Sequence, residues 1–119
     1  MKRTLVVGAS TNPERYAYRA IHALRQAGHE VVAFGQRPGT VLDVSIETTW
    51  NDQWDVDTVT LYVGPNNSIP LRDKIIALKP KRVIFNPGTE DAEFVQQVRA
   101  AGIEAEIACT LVLLSLGTY

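Results

Sequence analysis

The sequence predicts an α/β fold: an open, mostly parallel sheet of five or six strands with helices on both faces. Two observations predict it. Short apolar segments typical of buried strands alternate with longer segments whose apolar residues recur every three to four positions, as on the buried side of a helix. Strands separated by helices pair in parallel through right-handed crossovers. With 119 residues, 45% of them hydrophobic, we expect one domain covering residues 1–119.

The first predicted unit is a strand followed by a helix. Residues 4–7 are a short apolar run that suits a buried strand. Residues 13–27 have helical spacing, because small and aliphatic side chains recur at intervals of three and four. Asn12 suits the N-cap of this helix, Pro13 its first position, and Gly28 the position just past its end.

The second predicted strand, residues 31–34, leads into a less regular part of the chain. Residues 35–39 form a loop by composition, since they include two glycines and a proline. For residues 40–51 we expect an extended connection with a short edge strand near Ile46 and no helix.

A third strand and a second helix are expected in the middle of the chain. Residues 57–63 form the strand, which the Gly-Pro-Asn-Asn of residues 64–67 ends. Leu71, Ile75 and Leu78 give the helix its apolar stripe, and Pro80 follows its end.

The last predicted elements are two strands around a third helix. Residues 83–85 and 103–107 are the strands. Thr89 is the expected N-cap of the helix, and the acidic residues of segment 90–93 suit its first turn, where the helix dipole favours negative charge. The buried side of this helix is expected to extend to Ala101, and Gly102 to end it.

Two segments of the chain resemble each other. They read LRQAGHEVVAF and VRAAGIEAEIA, so that each places Arg-x-Ala-Gly-x-Glu between a helix and a strand. We interpret this as a shared structural need, because both helices must stop at a glycine and turn back into the sheet.

Composition and charge exclude several classes of protein. The formal net charge is −1, which does not favour a nucleic-acid partner. No apolar run approaches the ~20 residues that a membrane span requires, and the opening Met-Lys-Arg leads directly into a strand rather than into a signal peptide. Cys109 is the single cysteine, which fits a reducing compartment. We therefore expect a cytoplasmic protein with no membrane and no nucleic-acid partner.

The carboxyl ends of the first four predicted strands indicate a ligand site. Each of these ends is rich in glycine or proline, and ligands of open parallel sheets bind at the carboxyl ends of the strands. These ends read Gly8-Ala9-Ser10, Gly35-Gln36-Arg37, Gly64-Pro65 and Asn86-Pro87-Gly88.

Two features at these strand ends indicate the ligand class. The G-x-G-x-x-G pattern of dinucleotide folds is missing after the first strand, and no carboxylate follows the second strand to hold ribose hydroxyls. Arg37 stands there instead, and an arginine suits a phosphate on the adenosine ribose. NADP and coenzyme A both carry such a phosphate, so both remain candidates at this point.

Several segments resemble a known family in order and over nearly the whole chain. They are VVGASTNPERYAYRA, AGHEVVAFGQRPG, VDTVTLYVGP and VIFNPGTED, and they are similar to the small single-domain CoA-binding proteins, Rossmann-like relatives of the CoA-binding domain of the succinyl-CoA synthetase alpha subunit. The resemblance implies a phosphate loop at residues 8–10, an arginine beside it at Arg15, and a pantetheine path at residues 64–65. Together with the strand-end residues above, the predicted cofactor-binding residues are Gly8, Ala9, Ser10, Pro13, Arg15, Gly35, Gln36, Arg37, Gly64, Pro65, Asn86 and Gly88.

The chain departs from the family pattern at two positions. Gly35-Gln36 stands where Asn-Pro is common, although Arg37 keeps the positive charge of the usual lysine. Ile84 stands where a tryptophan is common.

No set of residues in the sequence predicts catalysis or a metal site. His22 and His29 have no second ligand at metal spacing, and Cys109 has no neighbouring histidine. Ser10 has no general base close in sequence. We therefore expect a non-catalytic protein that binds CoA or an acyl-CoA. The alternatives are a minimal NADP-dependent oxidoreductase and a regulatory or interaction domain that has lost its ligand.

The apolar residues 112–116 leave the question of protein partners open. They suit either a segment that seals the sheet or one that packs against a second copy of the chain or against another protein.

Overall fold

The structure is a computed structural model that describes residues 1–119. Its strands are β1 (Thr4–Val7), β2 (Val31–Phe34), β3 (Gly39–Val41), β4 (Val44–Glu47), β5 (Thr58–Leu61), β6 (Arg82–Phe85) and β7 (Glu104–Ile107). Its helices are α1 (Tyr16–Gln26), α2 (Pro65–Ser68), α3 (Arg72–Ala77), α4 (Ala92–Ala100) and α5 (Thr110–Leu116), with a 3₁₀ turn over Ile69–Leu71.

All seven strands form one sheet in the order β3-β4-β2-β1-β5-β6-β7. Every neighbouring pair is parallel except β3 and β4, which are antiparallel. The predicted fold class is therefore confirmed, as a Rossmann-like sheet. The expected count of five or six strands was too low, because residues 39–47 form a hairpin.

This hairpin corrects the expectation for residues 40–51. A strand does form at Ile46, but β4 lies between β2 and β3, and β3 is the edge strand. The tight turn between the two strands places Leu42 at a φ of 53°. Its short strands have too few residues for a clear alternation of apolar and polar side chains.

Helices cover both faces of the sheet. On one face Leu5 and Val7 of β1 belong to a core cluster with residues of α3 and α4. On the other face Val6 of β1 packs with α1. No helix follows β4; instead Trp50 and Trp54 pack edge-on against Phe34 of β2, with ring centroids 5.1 and 6.1 Å from that ring.

Helix α1 begins later and ends where expected. Pro13 and Asn12 precede the helix rather than starting it, because the Asn12 side chain accepts a hydrogen bond from the Glu14 amide (3.0 Å) and forms a turn of its own. Arg15 is the N-cap residue, and no side chain caps the helix. At the other end Gly28, at φ 87°, follows the last turn as predicted.

The similar segments of the sequence share one turn geometry. The amides of Gly28 and His29 donate to the carbonyls of Arg25 and Leu24, both at 3.0 Å. After α4, Gly102 and Ile103 donate in the same way to Arg99 and Val98, at 3.0 and 3.2 Å. Both pairs are Schellman motifs, in which a left-handed glycine ends the helix. The structural interpretation of the repeat is confirmed.

Three other expectations about helix ends were wrong. The N-cap of α4 is Asp91, whose carboxylate accepts from the Phe94 amide at 3.1 Å, whereas the Thr89 hydroxyl donates to the Asn86 carbonyl. Ala101 is exposed rather than buried. Pro65 begins α2 instead of lying in a loop, since a proline is well tolerated at the first helical position.

Residues 110–116 form α5, which the sequence did not predict as a helix. Leu114 packs into the same core cluster as α1, while Val112 and Leu116 are 51% and 69% exposed. Whether a second copy of the chain covers these two side chains stays a prediction. None of the helices is long and apolar enough to cross a membrane.

Candidate functional site

A cleft lies where the direction in which the chain crosses the sheet reverses. From β1 the chain passes to β2 on one side, and later it returns to β5 on the other side. The loops after these strands therefore separate at their carboxyl ends, which is where ligands of such sheets bind. The cleft has a volume of about 760 Å³, within the range of ligand pockets. It is lined mainly by residues 7–12, Arg15, residues 34–37, Thr48, Val63, Asn67, Pro70 and Leu71.

Two glycines bring the walls of the cleft together. Gly8 has φ +94°, and a Cβ there would lie 2.9 Å from Val63 Cγ1 and 3.0 Å from the Tyr62 carbonyl. A Cβ on Gly35 would lie 2.5 Å from the Ala9 carbonyl oxygen. Gly8 is thus required for the loop after β1 to pack on the end of β5, and Gly35 for the loops after β1 and β2 to touch.

The loop after β1 offers unpaired amides. The Gly8 and Ala9 amides both donate to the Phe34 carbonyl at 2.9 Å. The amides of Ser10 and Thr11 donate to no acceptor within the protein, and the Ser10 hydroxyl accepts from the Asn12 amide at 3.0 Å. Adjacent free amides of this kind form a cradle for an anion.

The charge of the cleft is positive. Arg15 and Arg37 are the charged side chains that line it, and no Asp or Glu is among its lining residues. Both arginines are exposed, and neither forms a salt bridge within the protein. A chain of net charge −1 therefore keeps two uncompensated guanidinium groups beside free amides, an arrangement suited to phosphate groups.

The structure brings together one part of the predicted site. Of the twelve predicted cofactor-binding residues, the cleft is lined by Gly8, Ala9, Ser10, Arg15, Gly35, Gln36 and Arg37. Pro13, Gly64, Pro65, Asn86 and Gly88 lie outside its lining. The polar residues that sequence reasoning missed are Thr11, Asn12, Thr48 and Asn67. Thr11 and Asn12 lie inside the recognised loop, but Thr48 and Asn67 depend on β4 and α2, which were not predicted as they are.

Asn86 has its side chain turned to the protein interior. It is 2% exposed, and its amide nitrogen donates to Thr60 Oγ1 and to the Leu61 carbonyl, both at 2.7 Å. Its Oδ1 accepts from the Thr110 amide at 2.9 Å. This side chain joins β5 and β6 to the start of α5.

Arg72 holds the segment that carries the lining residues Asn67 and Pro70. Its guanidinium donates to Ser68 Oγ and to the Pro65 carbonyl, both at 3.1 Å, and lies 3.2 Å from the Asp91 carboxylate. It also stacks on the Phe94 ring, 5.0 Å from its centroid. The turn that carries Asn67 and Pro70 is therefore fixed to α4 by a buried arginine. The position of Arg72 in a helix could not reveal this role from the sequence alone.

The reactive side chains that the sequence offers lie outside the cleft lining. His22 stacks on Tyr18, His29 accepts from the Lys2 amide at 2.8 Å, and Cys109 is the N-cap residue of α5. Burial raises the pKa of Tyr62 to about 12, and its hydroxyl has no hydrogen-bond partner. No three His, Cys, Asp or Glu side chains are placed to hold a metal ion.

Comparisons with known proteins agree with this geometry. The sequence pattern of the CoA binding domain family matches residues 2–115, so the chain belongs to that family. None of the curated proteins matches significantly.

Solved structures match over nearly the whole chain. A crystal structure of an uncharacterized protein is 47% identical, with a TM-score of 0.97, covering 100% of this chain and 98% of its own. A cell-free protein (ID.343) from Thermus thermophilus is 22% identical, with a TM-score of 0.86 and coverages of 99% and 90%. A conserved hypothetical protein from Pyrococcus furiosus is 23% identical, with a TM-score of 0.77 and coverages of 89% and 92%. The last two show the fold alone.

Proposed function

We propose that the protein binds coenzyme A or an acyl-CoA in the cleft between the loops after β1, β2 and β5, and that it performs no chemistry on this ligand. Membership in the CoA binding domain family supports coenzyme A as the ligand. The observation that carries the proposal is the charge of the cleft, in which Arg15 and Arg37 stand without any carboxylate.

Each part of the proposed site has a distinct task. The free amides of Ser10 and Thr11, with Arg15, would hold the diphosphate. Arg37, at the end of the second strand, would hold the 3′-phosphate of the adenosine ribose by charge-assisted hydrogen bonds. Gly64-Pro65, which lie outside the lining, would belong to the path of the pantetheine arm.

The lining of the cleft supports a binding role rather than a catalytic one. It contains no His, Cys, Lys, Tyr, Asp or Glu, so no general acid, general base or strong nucleophile faces a ligand there. Ser10 accepts a hydrogen bond from an amide and has no base beside it within the lining.

Because Cys109 is single and unpaired, we expect the protein to act in the cytoplasm.

A thermal-shift panel tests the proposal. Coenzyme A, acetyl-CoA, dephospho-CoA, NAD and NADP are compared at equal concentration, and a ligand at 100 times its dissociation constant should stabilise the fold by ~2.7 kcal/mol. Coenzyme A and acetyl-CoA should protect most. NADP also carries a ribose phosphate that Arg37 fits, so stronger protection by NADP would favour the oxidoreductase alternative. No protection by any of the five would favour a domain that has lost its ligand.

Two substitutions connect the panel to the cleft. Arg15→Gln removes one of the two lining charges, and Arg19→Gln is its matched control, an exposed arginine on the same helix and outside the lining. Protection by coenzyme A should fall in the first variant and persist in the second. Equal protection in both would place the ligand elsewhere.

A further inference from the structure

The loop after β1 touches a third glycine, which does not line the cleft. A Cβ built on Gly39, the first residue of β3, would overlap with the Cγ2 methyl of Thr11, and its next neighbour would be the Thr11 Cβ at 3.8 Å. Gly39 does not have the positive φ that favours glycine. A glycine at this position therefore provides space for the Thr11 methyl. Its backbone conformation does not require a glycine.

The hairpin that carries Gly39 is itself fixed to the cleft. Gly39 pairs with Ile46 across the hairpin, and the Gly35 amide donates to the Glu47 carbonyl at 3.0 Å. A Cβ on Gly35 would lie 3.1 Å from Ile46 Cγ2, so the end of β2 and the hairpin are closely packed. Gly39 thus belongs to a rigid wall against which the Thr11 side chain rests.

We infer that Gly39 is a positioning residue for the ligand: it fixes the side chain of Thr11, and with it the free amides of the loop after β1, without touching the ligand itself. Thr11 is exposed and has no hydrogen-bonded partner for its hydroxyl. The close approach of Gly39 limits where the Thr11 Cγ2 methyl can lie. The effect on affinity rests on the proposed function, whereas the contact between Gly39 and Thr11 does not.

The structure supplies a pair of substitutions that test this contact. Gly39→Ala introduces the overlapping methyl, and Thr11→Ser removes the Cγ2 that it meets while keeping the hydroxyl. Thr40→Ala is the matched control, because Thr40 is the exposed next residue of β3 and lies outside the cleft lining. Affinity for coenzyme A is measured by calorimetry, and the midpoint of urea unfolding is measured for every variant.

The two substitutions should compensate each other. We expect Gly39→Ala to weaken coenzyme A binding about tenfold, Thr40→Ala to stay within about twofold of the wild type, and the double variant of Gly39→Ala with Thr11→Ser to bind several-fold more tightly than Gly39→Ala. The inference is wrong if Gly39→Ala binds like the wild type, or if the double variant is as impaired as Gly39→Ala. Should Gly39→Ala fail to fold, recovery of folding in the double variant supports the contact, and failure to recover contradicts it.

A measurement without ligand separates this inference from the proposed function. In amide spectra of the free protein, Gly39→Ala should shift the Ser10 and Thr11 resonances, and Thr11→Ser in the same chain should return the Ser10 resonance toward its wild-type position. If coenzyme A fails to bind the wild type, the proposed function is wrong, and these spectra still decide the contact. Ser10 and Thr11 resonances that do not respond to Gly39→Ala would overturn it.

Discussion

Replacing Asn86 by alanine should destabilise the fold and leave ligand affinity nearly unchanged. The three hydrogen bonds of this buried side chain, at 2.7, 2.7 and 2.9 Å, join it to Thr60, Leu61 and Thr110. Each such bond contributes about 0.5–1.5 kcal/mol net. The substitution also strands the Thr110 amide in the interior, which costs about 1–3 kcal/mol if no water replaces the acceptor. Because the penalty for the Thr110 amide takes the place of the contribution of its hydrogen bond, the expected loss is about 2–6 kcal/mol.

Urea unfolding measures this loss directly. With an m value of about 1–3 kcal/mol per molar urea, the midpoint should fall by about 1 M or more. Asn66→Ala is the matched control, since Asn66 is exposed, and its midpoint should stay near that of the wild type. Asn86→Asp should also be destabilised, because an oxygen then faces the Leu61 carbonyl that the amide nitrogen now contacts.

Ligand binding completes the test of Asn86. At a urea-free condition in which Asn86→Ala is folded, its affinity for coenzyme A should stay within about threefold of the wild type. A variant with normal stability and abolished binding would refute the reasoning and return Asn86 to the ligand site.

Three further predictions concern the cleft and the amino edge of the sheet. Arg37→Gln should weaken coenzyme A about tenfold or more and remove the preference for coenzyme A over dephospho-CoA, as calorimetry would show; an unchanged preference would separate Arg37 from the ribose phosphate. Gly8→Val should lower both stability and binding, because a side chain at φ +94° meets the end of β5; a normal melting temperature would contradict that contact. Burial and nearby positive charges lower the pKa of His29 below 6.5, so the free energy of unfolding should fall as the pH drops below about 6.5, and His29→Asn should lose this dependence between pH 5.5 and 7.5; equal slopes in both proteins would exclude His29.

The sequence predicted the fold best where apolar residues form a continuous run. The strands of residues 4–7 and 31–34 were found at their exact ends, because each is a continuous apolar run between turn residues. The hairpin of residues 39–47 was not predicted, because its strands of three and four residues show too little alternation of apolar and polar side chains. Helix α5 was not predicted because apolar residues lie on all its sides. Without a polar face, its sequence shows no helical periodicity.

The loops that form the site could be predicted from the sequence, whereas the packing contacts between them could not. Arg15 and Arg37 follow recognisable strand ends, and both line the cleft. Gly8 was predicted to belong to a phosphate loop, and its missing Cβ also makes room for Tyr62 and Val63. Such contacts join residues more than fifty positions apart, which no local pattern can reveal. The partners of Asn86 on β5 and α5 lie 26 and 24 positions away, which is also beyond the reach of a local pattern.

The central claim is that coenzyme A occupies the cleft at the carboxyl ends of β1 and β2. An amide spectrum of the labelled protein, recorded as coenzyme A is added, tests it most directly. The largest shifts should fall on Ser10, Thr11 and Arg37, with a smaller response at Thr48. Shifts confined to other parts of the chain, or no shifts at millimolar coenzyme A, would contradict the account.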